Sequence, residues 1–549
     1  MTLATKTEAL DQQVLIDAHA LHAGFVRQAH LTPGNDALVV ADRTFTYAEA
    51  DDMARRLAAG LLEAVGHRPR RVAIFGARSA VSYLGALGAL LAGAAFVPLN
   101  PKFPIARTRA MLEQADVDAI IVDAHALPQL HEVLRGLDRT PALLLPAADA
   151  STLARRWPGA VLDCRDLANL QPLSLLPTVT ADDLAYLLFT SGSTGVPSGV
   201  PITHGNARAF LDVNAQRYQL GSQDRVSQTF DQTFDLSVFD LFMAWDAGAC
   251  VCAMQPIELL APFKFLQQHR ITVWFSVPSV AALLIKRGAL KPGSMPTLRW
   301  SLFCGEGLPK ATAEAWQKAA PNSIVENLYG PTELTIACTA YRWNPVKSPA
   351  ECVNDLVPIG DVYTGLDWII VDEELVPVGP GAIGELCVAG AQTSPGYWRN
   401  AERTAQRFID RIQPNGCIAR YHRTGDLVAR RDGGLVYFGR RDTQIKVGGH
   451  RIELGEIEGV LRRGGSVEAV ALAWPCAQQP DHIVAIVSGA SNMPQLEAAA
   501  RQSLPNYMVP RAIHTIAEMP LNANSKIDRK ALRQWLASRP VAELTQLAG

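Results

Sequence analysis

At 549 residues the chain is longer than one hydrophobic core usually serves, so more than one domain is expected. With 51 Lys and Arg against 53 Asp and Glu the formal net charge is −2, which argues against nucleic acid or an anionic membrane surface as the main partner. The nine cysteines are odd in number and include no CxxC pair, so reduced thiols of a cytoplasmic protein are expected rather than a disulfide framework or zinc site.

The first 25 residues carry Glu8, Asp11 and Asp17 and lack the apolar core of a signal peptide. From about residue 40 to 220, apolar β-rich runs alternate with helical ones. "RRVAIFG" (70–76), "AAFVPLN" (94–100) and "DAIIVDA" (118–124) have the composition of buried strands, with "AEADDMARRLAAGLLEAV" and "PIARTRAMLEQA" as helices between them. The uncharged run "LGALGALLAGAAFVPL" (84–99) is too short to span a bilayer and predicts a buried helix leading into a strand. This alternation predicts an α/β fold with a parallel sheet covered on both faces, continuing through "VWFSVPS" (273–279) and "RWSLFCGEGLP" (299–309). After about residue 355 short strands with glycine turns predict a small β-rich subdomain. A further change near Asp442 predicts a division into 1–441 and 442–549, the latter a compact α+β domain of two short strands, a helix, the strand "HIVAIVSG" and a helical end.

The loop "TSGSTGVPSG" follows an apolar strand and offers Thr190, Ser191, Ser193 and Thr194 hydroxyls between Gly192 and Gly195. Glycines admit an anion close to the backbone, and N–H groups with hydroxyls supply donors for phosphate oxygens. It is not a Walker loop, and alone it would pass for a turn. Four more segments occur in order: "YGPTELT" (329–335), "YHRTGDLV" (421–428), "GRRDTQIKVGGHRIELGEIE" (439–458) and "LNANSKIDRKAL" (521–532). Together the five resemble the adenylate-forming enzymes over about residues 30–535. Through "FDLSVFDLFMAWDAGA", "AGAAFVPLNPKFP" and "NANSKIDRKAL" the chain is most similar to the amino-acid-activating adenylation domains of peptide synthetases.

That resemblance implies a large N-terminal domain of layered α/β subdomains with a small mobile C-terminal domain, ATP and Mg²⁺ as cofactors, and two half-reactions. A carboxylate displaces pyrophosphate from ATP, and the acyl group then passes to a phosphopantetheine thiol. It assigns Thr190, Ser191, Gly192, Ser193, Thr194 and Gly195 to the β- and γ-phosphates, Glu333 to Mg²⁺ and Thr332 to the α-phosphate. Tyr329 is expected against adenine, Asp426 on the ribose hydroxyls and Arg440 on the ribose and phosphate side, with Gly305, Glu306 and Gly330 in the same nucleotide site. A carboxylate suits a vicinal diol because it accepts two hydrogen bonds. Lys526 corresponds to the lysine that bridges the substrate carboxylate and the α-phosphate, where a cation offsets the repulsion of two anions. Asp442 occupies the hinge position about which the C-terminal domain would turn, bringing "QIKVGGHR" to the thiol's entry. Two positions depart from the pattern. Ser198 stands where many relatives have lysine, so phosphate contact there is weaker or another cation serves; Gly448 stands where arginine is common.

Asp235 would pair with a substrate ammonium. The side-chain pocket is expected to be Leu236, Phe239, Phe275, Leu302, Cys304, Leu328, Ile336 and Ala337, none of them charged. A polar substrate side chain would lose its water there without replacement, so a small apolar amino acid is expected, proline first, then alanine or a valine-sized acid. Only 23 residues follow Lys526, fewer than the about 80 of a carrier domain, so a separate phosphopantetheinylated carrier protein is the expected partner. An acyl-CoA ligase is the alternative, disfavoured by Asp235, and a non-catalytic adenylate-binding module is a remoter one.

Overall fold

The computed structural model describes residues 18–149, 157–191, 197–413, 416–476, 480–489, 492–521 and 527–539. Of the expected site residues, Gly192, Ser193, Thr194, Gly195 and Lys526 lie outside that set.

Two large sheets share one core. The seven-stranded sheet runs in the spatial order Val161–Leu162, Ala142–Leu144, Ala119–Val122, Arg71–Phe75, Ala95–Leu99, Leu184–Thr190 and Ser198–Thr203. All its pairings are parallel except the last, where Ser198–Thr203 folds back on Leu184–Thr190. The nine-stranded sheet has six parallel strands at its centre, among them Arg225–Gln228, Val273–Ser276, Trp300–Phe303 and Ile324–Tyr329, with antiparallel strands at both edges. The predicted parallel sheet is thus two sheets, each completed by antiparallel edges.

Between them lies the helix Ala80–Leu91, buried on every side but at its first residue, followed by the buried strand Ala95–Leu99. A helix apolar all round has no solvent face to offer, and here it is covered by the seven-stranded sheet and by the helix Tyr47–Val65. Tyr47–Val65 packs beside it. Thr46 and Glu49 close a capping box at its N-terminus, and Gly66, at φ +77°, ends it in the left-handed region.

A five-stranded antiparallel sheet follows, built on the long strand Ile418–Arg431, which pairs with Gly384–Gly390, Phe408–Ile412 and Gly434–Arg440. From residue 445 onward the chain forms two core clusters of its own, the C-terminal unit. It contains the hairpin Gln444–Val447/His450–Glu453, the helix Leu454–Arg463 and a three-stranded sheet of Glu468–Trp474, His482–Ser488 and Ala512–Thr515. Of these, the sequence reading passed over Glu468–Trp474 and Ala512–Thr515. No helix among the described residues is long and apolar enough to cross a membrane, and Cys164, Cys250, Cys252, Cys304, Cys338, Cys352 and Cys387 form no disulfide.

Candidate active site

The parallel strands end in one cleft, as open α/β sheets place their ligand sites. Leu184–Thr190 delivers Thr190 and Ser191, Trp300–Phe303 delivers Cys304, Gly305 and Glu306, and Ile324–Tyr329 leads into Gly330–Glu333. Gly330 is required by space, since a Cβ there would lie 2.6 Å from Ala337 Cα.

Asp426, expected on the ribose, accepts from the Tyr329 hydroxyl at 2.5 Å and from Arg440 Nη1 at 2.7 Å. Arg440 also holds Asp442, through Nε at 2.7 Å and Nη2 at 3.0 Å, and Arg407 donates to the same carboxylate. Burial opposes ionisation of Asp442, but its arginine partners hold it well below the usual carboxylate range. Tyr329, Asp426, Arg440, Gly305 and Glu306 line a cavity of about 460 Å³ that continues between the two units.

A smaller cavity of about 80 Å³, the candidate substrate cavity, adjoins the larger one and shares Gly305, Asp426 and Arg440 with it. Asp235, Leu236, Cys304, Gly330, Thr332 and Ile336 are on its wall. Phe239, Phe275, Leu302 and Ala337 belong to the main core and are not on that wall, while Leu328, also in the core, lines the larger cavity. Asp235 is buried, and its Oδ2 has no hydrogen-bond partner among the described residues. Burial pushes its carboxyl up to about 6, with Thr332 and the charge of Lys446 offsetting part of that rise. Burial likewise raises the Cys304 thiol to about 12, so it meets the cavity uncharged. Thr335 and Ile336 are both in the left-handed region, at φ +57° and +73°, a conformation a β-branched residue resists. Gln392 holds them there: its Nε2 donates to Ala337 O at 2.8 Å and Leu334 O at 3.1 Å, and its carbonyl accepts from Thr335 Oγ1.

Glu333, expected near the phosphates, is fully buried with both oxygens engaged. Tyr397 donates to Oε1 at 2.5 Å and Arg451 Nη1 to Oε2 at 2.7 Å. Burial alone would raise its pKa, yet the Arg451 charge and these bonds hold it well below the usual range. Ser191 Oγ donates to Arg451 O at 2.7 Å and accepts from Glu453 N at 3.2 Å. Gly449 N donates to Glu306 Oε1 at 2.8 Å. The hairpin of the C-terminal unit therefore covers Ser191 and Glu333, while its Lys446 and Gly449 line the substrate cavity. Its turn, Gly448–Gly449 at φ +58° and +79°, is the two-residue type that demands left-handed conformations at both positions. Arg107 pairs with Glu456 at 2.6 Å across the same junction, both side chains buried. None of these cross-chain roles of Arg107, Gln392 or Arg451 has a local sequence signal.

Residues 25–398 match the family described as AMP-binding enzyme, about two thirds of the chain. The chain belongs to that family. Among curated relatives, this AMP-binding enzyme is 36% identical to an L-proline--[L-prolyl-carrier protein] ligase of Streptomyces coelicolor, over 92% of this chain and 94% of that protein. It is 32% identical to tyrocidine synthase 2 of Brevibacillus parabrevis, over 95% of this chain but 14% of that much longer protein. Among solved structures, the Vibrio cholerae adenylation domain AlmE, in complex with glycyl-adenosine-5′-phosphate, superposes with a TM-score of 0.84 at 31% identity, covering 94% of this chain and 98% of that one. IdnL7 gives 0.70 at 39% identity, covering 94% and 99%. The AMP-binding enzyme is an AMP-forming ligase of mixed α/β architecture with a small C-terminal unit.

Glu333 fits a Mg²⁺ role by its chemistry. Mg²⁺ with a nucleotide commonly takes one or two protein carboxylates and completes its shell with phosphate oxygens and water. No cluster of three or more His, Cys, Asp or Glu able to hold a metal alone occurs among the described residues.

Proposed function

We propose that this AMP-forming ligase activates a small apolar amino acid as its adenylate, L-proline being the first choice, and transfers it to the phosphopantetheine thiol of a separate carrier protein. The observation that carries this reading is Asp235: a buried carboxylate whose Oδ2 has no hydrogen-bond partner among the described residues, on the wall of the same cavity as Leu236, Cys304 and Ile336, with Lys446 on that wall as well. An α-ammonium group supplies a donor for that oxygen, whereas a fatty or aryl acid would leave it without one. The named activity of the Streptomyces coelicolor relative and the glycyl-adenylate bound to AlmE support it further.

In the first half-reaction a substrate carboxylate oxygen bonds to the α-phosphorus as the bond to pyrophosphate breaks. In this reading Thr332, on the cavity wall, donates to the α-phosphate, and Asp426, which accepts from Tyr329 and Arg440, also accepts from the ribose. Mg²⁺, when bound at Glu333, neutralises phosphate charge and favours the leaving group. Lys526, outside the described residues, remains our candidate for the cation between the two anions. In the second half-reaction the thiol sulfur bonds to the acyl carbon, its proton is lost and AMP departs. The arrangement described here suits that second step, because the hairpin occupies the phosphate end and leaves the substrate cavity lined. We place the pivot between the two arrangements at Asp442.

Pyrophosphate exchange across the twenty amino acids and several non-protein ones tests the reading. Exchange with proline above all others, followed by loading of a holo-carrier and not of free coenzyme A, is the expected result. Exchange with none of them, or transfer only to coenzyme A, contradicts it.

A further inference from the structure

Ser198 leaves the phosphate end of the cleft one cation short of the family pattern, and the structure brings a different cation to that spot. Arg403, on the helix Ala401–Arg407, donates through Nη1 to Ser198 Oγ at 2.5 Å. Its guanidinium lies 4.5 Å from the centroid of the Tyr397 ring. Ser198 pairs with Thr190 across the antiparallel ladder, so the two strand ends that carry the Ser/Thr/Gly loop meet beside this guanidinium. Tyr397 in turn donates to Glu333. One side chain thus separates Arg403 from the carboxylate that fits Mg²⁺.

The surroundings of Arg403 call for an anion. Its side chain is 14% exposed, and its hydrogen-bond acceptor among the described residues is a neutral hydroxyl. The carboxylate that approaches it, Glu453 Oε1, stays 3.7 Å from Nη2, beyond hydrogen-bonding distance, and belongs to the C-terminal unit. A cation drawn out of water is costly without a partner. When the C-terminal unit turns away, Glu453 leaves with it. Phosphate oxygens are the natural replacement, since the planar guanidinium offers them paired N–H donors and a charge that a serine cannot.

We propose that Arg403 supplies the cation absent at Ser198, binding the β- and γ-phosphates of ATP and exchanging them for Glu453 once pyrophosphate has left. This inference rests on the adenylation reading above, and its test separates the two. Calorimetric binding of ATP with Mg²⁺, of pyrophosphate with Mg²⁺ and of AMP is compared for the wild type, Arg403→Ala, Arg403→Gln, Arg403→Lys and Ser198→Lys/Arg403→Ala, each checked for cooperative thermal unfolding.

Loss of charge in Arg403→Ala is expected to weaken ATP and pyrophosphate by about 10-fold or more, the scale of a charge-assisted hydrogen bond, while AMP changes less than about 2-fold. Arg403→Gln, which keeps a donor for Ser198, should behave like Arg403→Ala and carries the comparison if that variant fails to fold. Arg403→Lys and the double variant should each recover most of the loss. Parallel weakening of AMP and ATP, unchanged ATP binding in the charge-loss variants, or a folded double variant that recovers nothing would each overturn the assignment. A wild type that binds neither ATP nor AMP would instead remove the adenylation reading itself.

Discussion

Asp235 is ionised at neutral pH only against the cost of its burial. Its carboxyl titrates near 6 in the folded chain against an ordinary 3.8. The protonated form therefore favours the fold below about pH 3.8, and that advantage fades as the pH rises from 3.8 to 6. At pH 7 the unpaired carboxylate costs about 3 kcal/mol, on the scale of 1.36 kcal/mol per pKa unit. A substrate ammonium offsets this cost. Amino-acid affinity should therefore fall about tenfold per pH unit below 6 while AMP affinity holds steady, as calorimetry at pH 5, 6 and 7.5 would show. Asp235→Asn should raise the amino-acid KM by roughly 30-fold or more, corresponding to about 2–5 kcal/mol for a buried charge pair, with nucleotide binding preserved. Equal loss of both ligands would mean a packing role. Proline preference rests on a less direct chain, because Leu236, Cys304 and Ile336 alone face the cavity among the expected side-chain positions, and the others, in the core, act through shape.

At the scale of elements, the hairpin of Gln444–Val447 and His450–Glu453 competes with the nucleotide. Arg451 occupies the carboxylate that fits Mg²⁺, and the backbone at 451 and 453 occupies the Ser191 hydroxyl. Removing the Arg451 side chain should tighten binding of ATP with Mg²⁺ by about 3-fold or more and slow thiol transfer, since a charged hydrogen bond that opposes opening is gone. Unaltered ATP affinity would show that the pair does not resist opening. Asp442→Pro fixes φ at the proposed pivot, whereas Asp442→Ala removes the arginine partners and keeps backbone freedom. A proline variant that loses one half-reaction, beside an alanine variant that keeps both, is the expected split; equal damage in both places Asp442 among structural residues only.

Much of this was legible in the sequence. The run 84–99 announced its buried helix and strand by lacking any charge, and motif order singled out Ser191, Glu333 and Asp426, side chains whose partners the fold then shows. The strand Glu468–Trp474 was passed over because its short, alanine-containing apolar run has no length or alternation to separate strand from helix. Arg403 and Arg451 were illegible for a different reason: their partners lie 205 and 118 residues away, and only the packed fold brings them together.

For the whole molecule, one cleft has to hold a triphosphate first and admit a thiol afterwards. The two units meet over that cleft through contacts of both signs, the Arg107–Glu456 pair buried on one side and the Arg451–Glu333 pair on the other. His450 stacks on Tyr507 at 3.6 Å and meets Phe234 edge-on, adding an aromatic wall where the substrate cavity opens between the units. The most direct measurement locks this arrangement. Arg107→Cys and Glu456→Cys, introduced with Cys417→Ser and Cys476→Ser to clear the exposed native thiols, can be joined by a short cleavable crosslinker. The locked enzyme should lose amino-acid-dependent pyrophosphate exchange, keep transfer of a preformed adenylate to the carrier, and regain exchange when the linker is cut. Undiminished exchange in the locked enzyme would contradict the account.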